Sequence, residues 1–370
     1  MNLDRYSSQI IDESDIAAVC AALRSGVLTQ GATIEAFERA LCEYTGAKYA
    51  VAVSNATSAL HIAYLCANLG AGDEVIVPAI TFAATANAAL YCGAKAVFAD
   101  VEFESGLIDW RSIEALITPK TKAIAPVHYA GSLCDMEAIN AIAARRNLIV
   151  IEDAAHALGS FDAAGKSAGT FGAMGVFSFH PVKPITTGEG GAVVTDNAET
   201  ARRLRLLRSH GIKRGELWEQ DMIALGFNYR ISDINCALGL SQLKKLDATI
   251  ARRNAIAAMY DRAFACADQI APLKTPQARH SRHLYPVLLR RGADKARLFA
   301  RLRENGVGVQ THYKPVYRHS FYRSLLPNQT PLPNAEAFYE AEISIPCHAA
   351  LSDDEVAFAI DAIRAEIAAI

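Results

Sequence analysis

The stretch YAVAVSNATSALHIAYLCANLGAGDEVIV, residues 49–77, decides the fold. It opens on an apolar run (49–53) that reads as a strand. It closes on EVIV (74–77), a second strand. Between them TSALHIAYLCANLG carries apolar residues at helical spacing, with a glycine stop at Gly70. The same alternation runs from Lys48 to about Thr195. Further strands are expected at KAVFA (95–99), KAIAPV (122–127) and LIVIED (148–153). GVFSF (175–179) and GAVVT (191–195), separated by a glycine-rich turn, read as strands of the same sheet. Strands that alternate with helices predict an α/β fold, with a largely parallel sheet covered on both faces.

After Ser232 the pattern changes. DINCALGLSQLKKLDATIARRNAIAAMYDRAF is one long helical stretch leading away from the sheet. LYPVLL (284–289), a helix near 294–304, a short VGVQTHY segment and a terminal helix from about Ser352 predict a smaller α+β unit. The expected division is a large domain over 1–245, with an N-terminal arm, and a small one over 246–370.

Of the 370 residues, 51% are hydrophobic and 21% charged, which excludes a disordered or fibrous chain. A formal net charge of −2 gives no global attraction to nucleic acid or to an anionic membrane. No apolar run is long enough to span a bilayer, and MNLDRYSSQIIDESD lacks the basic and apolar order of a signal peptide, so a cytoplasmic protein is expected. The eight cysteines form no C-x-x-C pair and read as small buried hydrophobes. In RRLRLLRSHGIKRG the cations Arg202, Arg203, Arg205, Arg208, Lys213 and Arg214 read mostly as a solvated helix face.

Ligands of open α/β sheets sit at the carboxyl ends of the strands. Three features fall there. Ser54-Asn55-Ala56-Thr57-Ser58 turns from strand to helix, and the free N–H groups of a helix start, with the Thr57 and Ser58 hydroxyls, can cradle a phosphate. An ordinary N-cap gives the same signature. Asp153 ends LIVIED, with His156 three residues on; Asp153 can pair with a cation, cap a helix or bind a metal, and His156 alone reads as a core histidine. Lys183, in SFHPVKPITTGEGGAVVT, has little solvating sequence around it before Glu189, and an apolar setting favours the nucleophilic neutral amine.

Together, phosphate cradle, strand-end carboxylate and lysine are what pyridoxal phosphate requires: an anchor, a partner for the ring nitrogen and an amine for its carbonyl. Phe82 is placed to stack on such a ring, or else packs in the core.

These motifs identify a resemblance. With LTQG (28–31), TFAATANA (81–88), EDAAHALGS (152–160), RSHGI (208–212), GFNYR (226–230) and THYKPVY (311–317), the chain resembles fold-type I sugar aminotransferases of the DegT/DnrJ/EryC/StrS class over nearly its whole length. HLYPVL, VQTHYKPVY and EISIPCHAAL are similar to the subgroup acting in pseudaminic acid biosynthesis. The resemblance implies that Lys183 is the Schiff-base lysine and proton carrier. It implies Asp153 at the pyridinium nitrogen, Phe82 over the ring and His156 beside the ring hydroxyl. Ala56, Thr57, Ser58 and Ser178 would hold the phosphate, and Asn228 would reach the cofactor of the other subunit of a homodimer. Tyr6, Gly26, Val27, Leu28, Thr29, Tyr313, Lys314, Pro315 and Val316 match segments that contact the nucleotide sugar. The implied partners are a UDP-linked 4-keto sugar and L-glutamate. Some relatives carry histidine in place of this lysine and dehydrate sugars, so Lys183 argues for transamination.

The alternatives are an aminotransferase for another nucleotide-linked keto sugar and a non-catalytic, cofactor-bound regulator. A metal enzyme is disfavoured, because His280 and His283 have no accompanying acidic or thiol ligand set. No G-x-G-x-x-G follows the first strand, which argues against a dehydrogenase.

Overall fold

The computed structural model describes residues 3, 5–216, 218–275, 279–290 and 294–368, the side chain of Arg214 excepted. Its strands, in chain order, begin with β1 (Tyr49–Val53), β2 (Glu74–Pro78), β3 (Lys95–Ala99), β4 (Thr121–Ile124), β5 (Ile149–Asp153), β6 (Met174–Ser178) and β7 (Gly191–Thr195). These form one seven-stranded sheet in the order β1-β7-β6-β5-β4-β2-β3. Strands β6, β5, β4, β2 and β3 are parallel, and β7 is antiparallel to both its neighbours. β1 therefore points the same way as the parallel set. The carboxyl ends of β1, β2, β4, β5 and β6 share one edge, and β7 starts there.

Both faces of the sheet are buried, which is why its strands read as continuous apolar runs rather than alternating ones. Val51, Val53 and Val193 face one core; Ala50, Ala52, Ala192 and Val194 face another, against Phe37, Leu41 and Phe177. The helix after β1 spans Ala56–Cys66, with Asn55 as its cap. It stops short of Gly70 because Asn68 already takes the left-handed turn at φ 58°, which asparagine tolerates.

The rest of the chain adds an exposed hairpin, β8 (Ile212–Arg214) with β9 (Gln220–Met222), and an antiparallel sheet of β10 (Ile270–Pro272), β11 (Tyr285–Leu289) and β12 (Glu342–Ile345). Helices Leu246–Phe264, Lys295–Glu304 and Asp353–Ala368 close a second core around Tyr260, Val287, Leu302, Ile343 and Ile363. The long helical stretch is two helices, Asp233–Leu243 and Leu246–Phe264. VGVQTHY makes only isolated bridges, Val307 with Leu3 and Gln310 with Ser344. The chain then returns to the main sheet, and Val316, Tyr322 and Phe338 lie in its core.

Among the described residues no helix is long and apolar enough to cross a membrane. Cys134, Cys236 and Cys347 are buried as expected, whereas Cys20, Cys42, Cys66 and Cys92 are only half-buried and Cys266 is exposed just after the Leu246–Phe264 helix. The basic helix face is structural: Arg202 pairs with Glu199, and Arg205 and Arg208 both reach Glu38.

Candidate active site

A cavity of about 860 Å³ opens at the shared strand edge, lined by residues that follow β1, β2, β5 and β6 and by the 310–313 segment. Asn55, Phe82, Asp153, His156, Ser178, Lys183 and Tyr313 all face it. Its size lies toward the top of the range for ligand sites, roughly 300–1,000 Å³.

Asp153 is the last residue of β5, and strand direction aims it at the cavity. Its Oδ2 accepts the Thr85 hydroxyl at 2.6 Å and its Oδ1 the Ala155 N–H at 3.1 Å. Burial raises its pKa; the two hydrogen bonds and the cations of Lys183 and His128 oppose that rise. Thr85 was not legible as a site residue. Its one signal was a hydroxyl at helical spacing from Thr81 within TFAATANA.

Lys183 lies in the loop between β6 and β7, its N–H bonded to the His180 carbonyl. The side chain keeps some access to the cavity, yet protein surrounds it, and this desolvation brings the amine down to about 7; Asp153 pulls the other way and Arg253 adds to the fall. Nζ lies 3.3 Å from Nε2 of His283. His283 read in sequence only as half of a disfavoured metal pair; the structure puts it against the lysine and sends His280 to Ser132.

His156 follows Asp153 on the loop past the strand end. Its Nδ1 accepts the Ala130 N–H at 3.2 Å, so the ring proton sits on Nε2 and points at the Tyr313 oxygen, 3.1 Å away. Burial, with Lys183 and His312 nearby, holds His156 well below the usual imidazole range, hence neutral. The Tyr313 hydroxyl proton is then left free to donate into the cavity. His312, also missed in sequence, lines the same wall; its Nδ1 meets Ser344 Oγ at 2.8 Å, and burial lowers it to about 3.

The anion cradle is built from the cap outward. Asn55 Oδ1 takes both the N–H and the hydroxyl of Ser58, at 2.8 and 2.9 Å. Among the described residues, the N–H groups of Ala56 and Thr57 have no protein acceptor, and they sit at the positive end of the helix macrodipole. Ser178, at the end of β6, faces the same space. β7 begins so close that a Cβ on Gly191 would meet Ala56 N and Asn55 C at 2.6 Å each, which explains the glycine. Phe82 is 61% exposed, a large flat apolar side chain turned into the cavity. Unfilled helix N–H groups, a buried carboxylate, an exposed aromatic face and a near-neutral lysine in one cavity suit a flat, phosphorylated aldehyde. Pyridoxal phosphate is such a group.

Of the other residues singled out in sequence, Tyr6 lines the cavity, with its ring 5.2 Å from that of His312. Lys314 is half-buried outside the lining, and Pro315 is buried. Val316 has no exposure at all: it packs in the main core and bonds the Ala79 carbonyl, so it does not reach a ligand in this cavity. Gly26, Val27, Leu28 and Thr29 are exposed and lie outside the cavity of their own chain, tied instead to Ser232 and Asp233. Asn228 is likewise exposed and outside the lining, paired with Ser209, although its neighbour Tyr229 lines the cavity.

Comparison with known proteins gives a consistent picture. The DegT/DnrJ/EryC1/StrS aminotransferase family matches residues 9–364. A Campylobacter jejuni protein named UDP-4-amino-4,6-dideoxy-N-acetyl-beta-L-altrosamine transaminase is 46% identical over 363 residues, 96% of this chain and 95% of that one. A Helicobacter pylori protein of the same name is 41% identical over 356 residues, 95% of this chain and 94% of that one. Among solved structures, Helicobacter pylori PseC, described as an aminotransferase involved in the biosynthesis of pseudoaminic acid, superposes with a TM-score of 0.94 at 38% identity, covering 100% of both chains.

Proposed function

Because the chain belongs to the DegT/DnrJ/EryC1/StrS aminotransferase family, it is an aminotransferase, and we propose the reaction it catalyses. It moves the amino group of L-glutamate to C4 of UDP-2-acetamido-2,6-dideoxy-β-L-arabino-hexos-4-ulose. The products are 2-oxoglutarate and UDP-4-amino-4,6-dideoxy-N-acetyl-β-L-altrosamine, an intermediate of pseudaminic acid biosynthesis. The observation that carries the chemistry is Lys183, brought to about 7 by burial in the cavity that also holds Asp153. The substrate assignment is supported by the near-full-length likeness to transaminases of that name.

Pyridoxal phosphate, when bound, supplies a carbonyl that condenses with amines and a ring that accepts the electrons of a departing proton. The N–H groups of Ala56 and Thr57, with the Ser178 hydroxyl, would hold its phosphate, and the Ser58 hydroxyl would join them by turning from Asn55 Oδ1. Asp153 would keep the ring nitrogen protonated, and Thr85 orients that carboxylate by a hydrogen bond. Phe82 would cover one ring face, and His156, neutral with its proton on Nε2, would lie at the ring's polar edge. Near neutral pH a large share of Lys183 is unprotonated. Its Nζ can take the Cα proton of the amino donor, hold it as an ammonium and return it, which is the lysine's task in both halves of the transfer. Tyr6 and Tyr313 line the outer cavity where the sugar would lie, and Tyr313 has a hydroxyl proton to donate there.

The protein works as a cytoplasmic homodimer in this reading. Its own cavity recruits neither residues 26–29 nor Asn228, while Val27 and Leu28 stand about half exposed, and Trp218 and Leu225, beside the β8–β9 hairpin, are 86% and 78% exposed. A second copy would cover these apolar side chains and bring Asn228 and the 26–29 segment to its partner's cavity. Each chain comprises a large cofactor-binding unit, 1–245, and a smaller unit, 246–370, whose 316–341 segment reaches back onto the large core.

The test is a panel of UDP-, GDP- and dTDP-linked ketosugars incubated with glutamate and the holoenzyme, with Lys183→Ala as the blank. Amino-sugar product is read by mass spectrometry. Product from the UDP-linked L-arabino ketosugar is expected. Product only from a GDP- or dTDP-linked sugar overturns the substrate, and no product from any sugar or amino donor overturns the activity.

A further inference from the structure

Lys183 has one close polar partner that the reaction as written does not use. His283 Nε2 lies 3.3 Å from Lys183 Nζ, just ahead of β11 and far from the lysine in sequence. The backbone of His283 is held on both sides: its amide N–H donates to the Ala130 carbonyl at 3.1 Å, and its carbonyl accepts from Arg253 Nη1 at 3.1 Å. Its ring lies against His156, with centroids 4.4 Å apart. Arg253, fully buried, spends the same Nη1 on the carbonyls of Arg282 and Cys347, so the turn that carries His283 is pinned to the Leu246–Phe264 helix.

The other ring nitrogen decides the tautomer. Among the described residues, Nδ1 of His283 is buried with no hydrogen-bond partner. A proton there would be an orphaned buried N–H, which folded proteins avoid more strictly than an orphaned acceptor. With the proton on Nε2 instead, the ring presents a donor to Nζ, and only an unprotonated amine has the lone pair to receive it. A protonated Lys183 would point N–H at N–H, or force the tautomer that strands Nδ1.

Resting on Lys183 as the working amine, we propose that His283 is a positioning residue: its Nε2–H donates to the lone pair of the neutral Lys183 amine and docks that amine against the cavity wall whenever the cofactor releases it. The lysine faces one carboxylate, Asp153 from β5, and one guanidinium, Arg253 from the Leu246–Phe264 helix. Around it stand His156, His283 and His312, whose own ring nitrogens burial keeps in the neutral state. The two full charges oppose one another. The neutral donor of His283 then adds a preference for the free base that neither burial nor charge supplies with any direction. It gives the amine a fixed parking position from which it can return to the carbonyl.

The experiment uses the cofactor-free full-length protein. Trace labelling with acetic anhydride is carried out across pH 5–10, and the extent of acetylation at Lys183 is read by peptide mass spectrometry. His283→Phe should raise the labelling midpoint of Lys183 by about one unit, a roughly tenfold change in proton affinity, because the neutral amine loses its donor. His283→Gln, whose carboxamide N–H can take the donor's place, should recover most of that shift. A midpoint that stays put or falls in His283→Phe overturns the proposal, since packing alone or an accepting Nε2 would do that; so does a Gln variant no closer to wild type than Phe. Should His283→Phe not fold, nitrogen-15 spectra of histidine-labelled wild-type protein read the tautomer directly, with the His283 signal assigned by its loss in His283→Gln. A proton on Nε2 is expected, and one on Nδ1 overturns the assignment. Neither readout involves substrate, so the ketosugar panel can fail while this stands, and the reverse.

Discussion

Thr85 gives its hydroxyl proton to Oδ2 of Asp153 at 2.6 Å, so the carboxylate that ends β5 is held by a side chain from the helix after β2. Burial nevertheless raises the Asp153 pKa above 3.8. An acid whose folded pKa lies above its unfolded value binds its proton more tightly when folded, so its ionisation works against folding. That penalty is absent below the unfolded value, grows as pH climbs through the folded pKa and is complete above it. Asp153→Asn removes it while keeping the shape and an acceptor for Thr85. The cofactor-free variant is expected to melt at a higher temperature than wild type at pH 7, with the gain shrinking toward pH 4, while turnover falls by about 100-fold or more. Melting curves of the cofactor-free proteins across pH, set beside turnover of the holoenzymes, check both halves. A lower melting temperature at pH 7 would show that the charge is stabilised by something other than its ligand.

Gly191 is the second point of leverage. A methyl group at this position would lie 2.6 Å from the backbone of Ala56 and Asn55, the cap of the anion cradle. Gly191→Ala must push β7 away from the helix start, at a stability loss of about 1–3 kcal/mol, and should weaken pyridoxal phosphate binding by about tenfold or more. Gly70→Ala is the control, because a Cβ there meets nothing within 4 Å and the cradle is untouched. Titration of the cofactor into the cofactor-free variants reads the difference. Equal affinities would mean that the phosphate sits elsewhere.

Val316 separates contact by resemblance from contact by geometry. It matches a substrate-contacting segment of relatives, yet here it is wholly buried in the main core. Val316→Ala should lower unfolding stability by about 2 kcal/mol, within the range of core truncations, and leave KM for the nucleotide sugar within about twofold. Denaturant unfolding and steady-state kinetics settle it. A large rise in KM with unchanged stability would return Val316 to the substrate.

The sheet was legible because its strands are short, apolar and bounded by turn residues; YAVAV and GAVVT match β1 and β7 residue for residue. What local pattern cannot carry is which distant segments meet. Thr85 joins Asp153 across 68 residues and Lys183 meets His283 across 100, so no periodicity signals either pair. β12 was missed for a related reason: EISI alternates in polarity, but both Glu342 and Ser344 are buried and bonded to the 310–312 segment, so its polar face meets protein rather than water. The cradle was readable because it is local. Tyr313 was readable only through the resemblance, and the imidazoles of His283 and His312 beside it were not, because that wall is assembled from the last third of the chain.

That assembly bears on how the molecule is made. Phe338 fills the core beneath the main sheet, while Leu3 sits in the core of the C-terminal unit. Neither core is complete early in synthesis: the first waits for residue 338, and the second joins Leu3 to the helix Asp353–Ala368. A ribosome stalled just past β7 therefore releases the seven-stranded sheet without Val316, Tyr322 and Phe338, which complete its core. Such a fragment exposes apolar surface to chaperones and proteases, so quality control acts on the whole polypeptide rather than on a prefolded half.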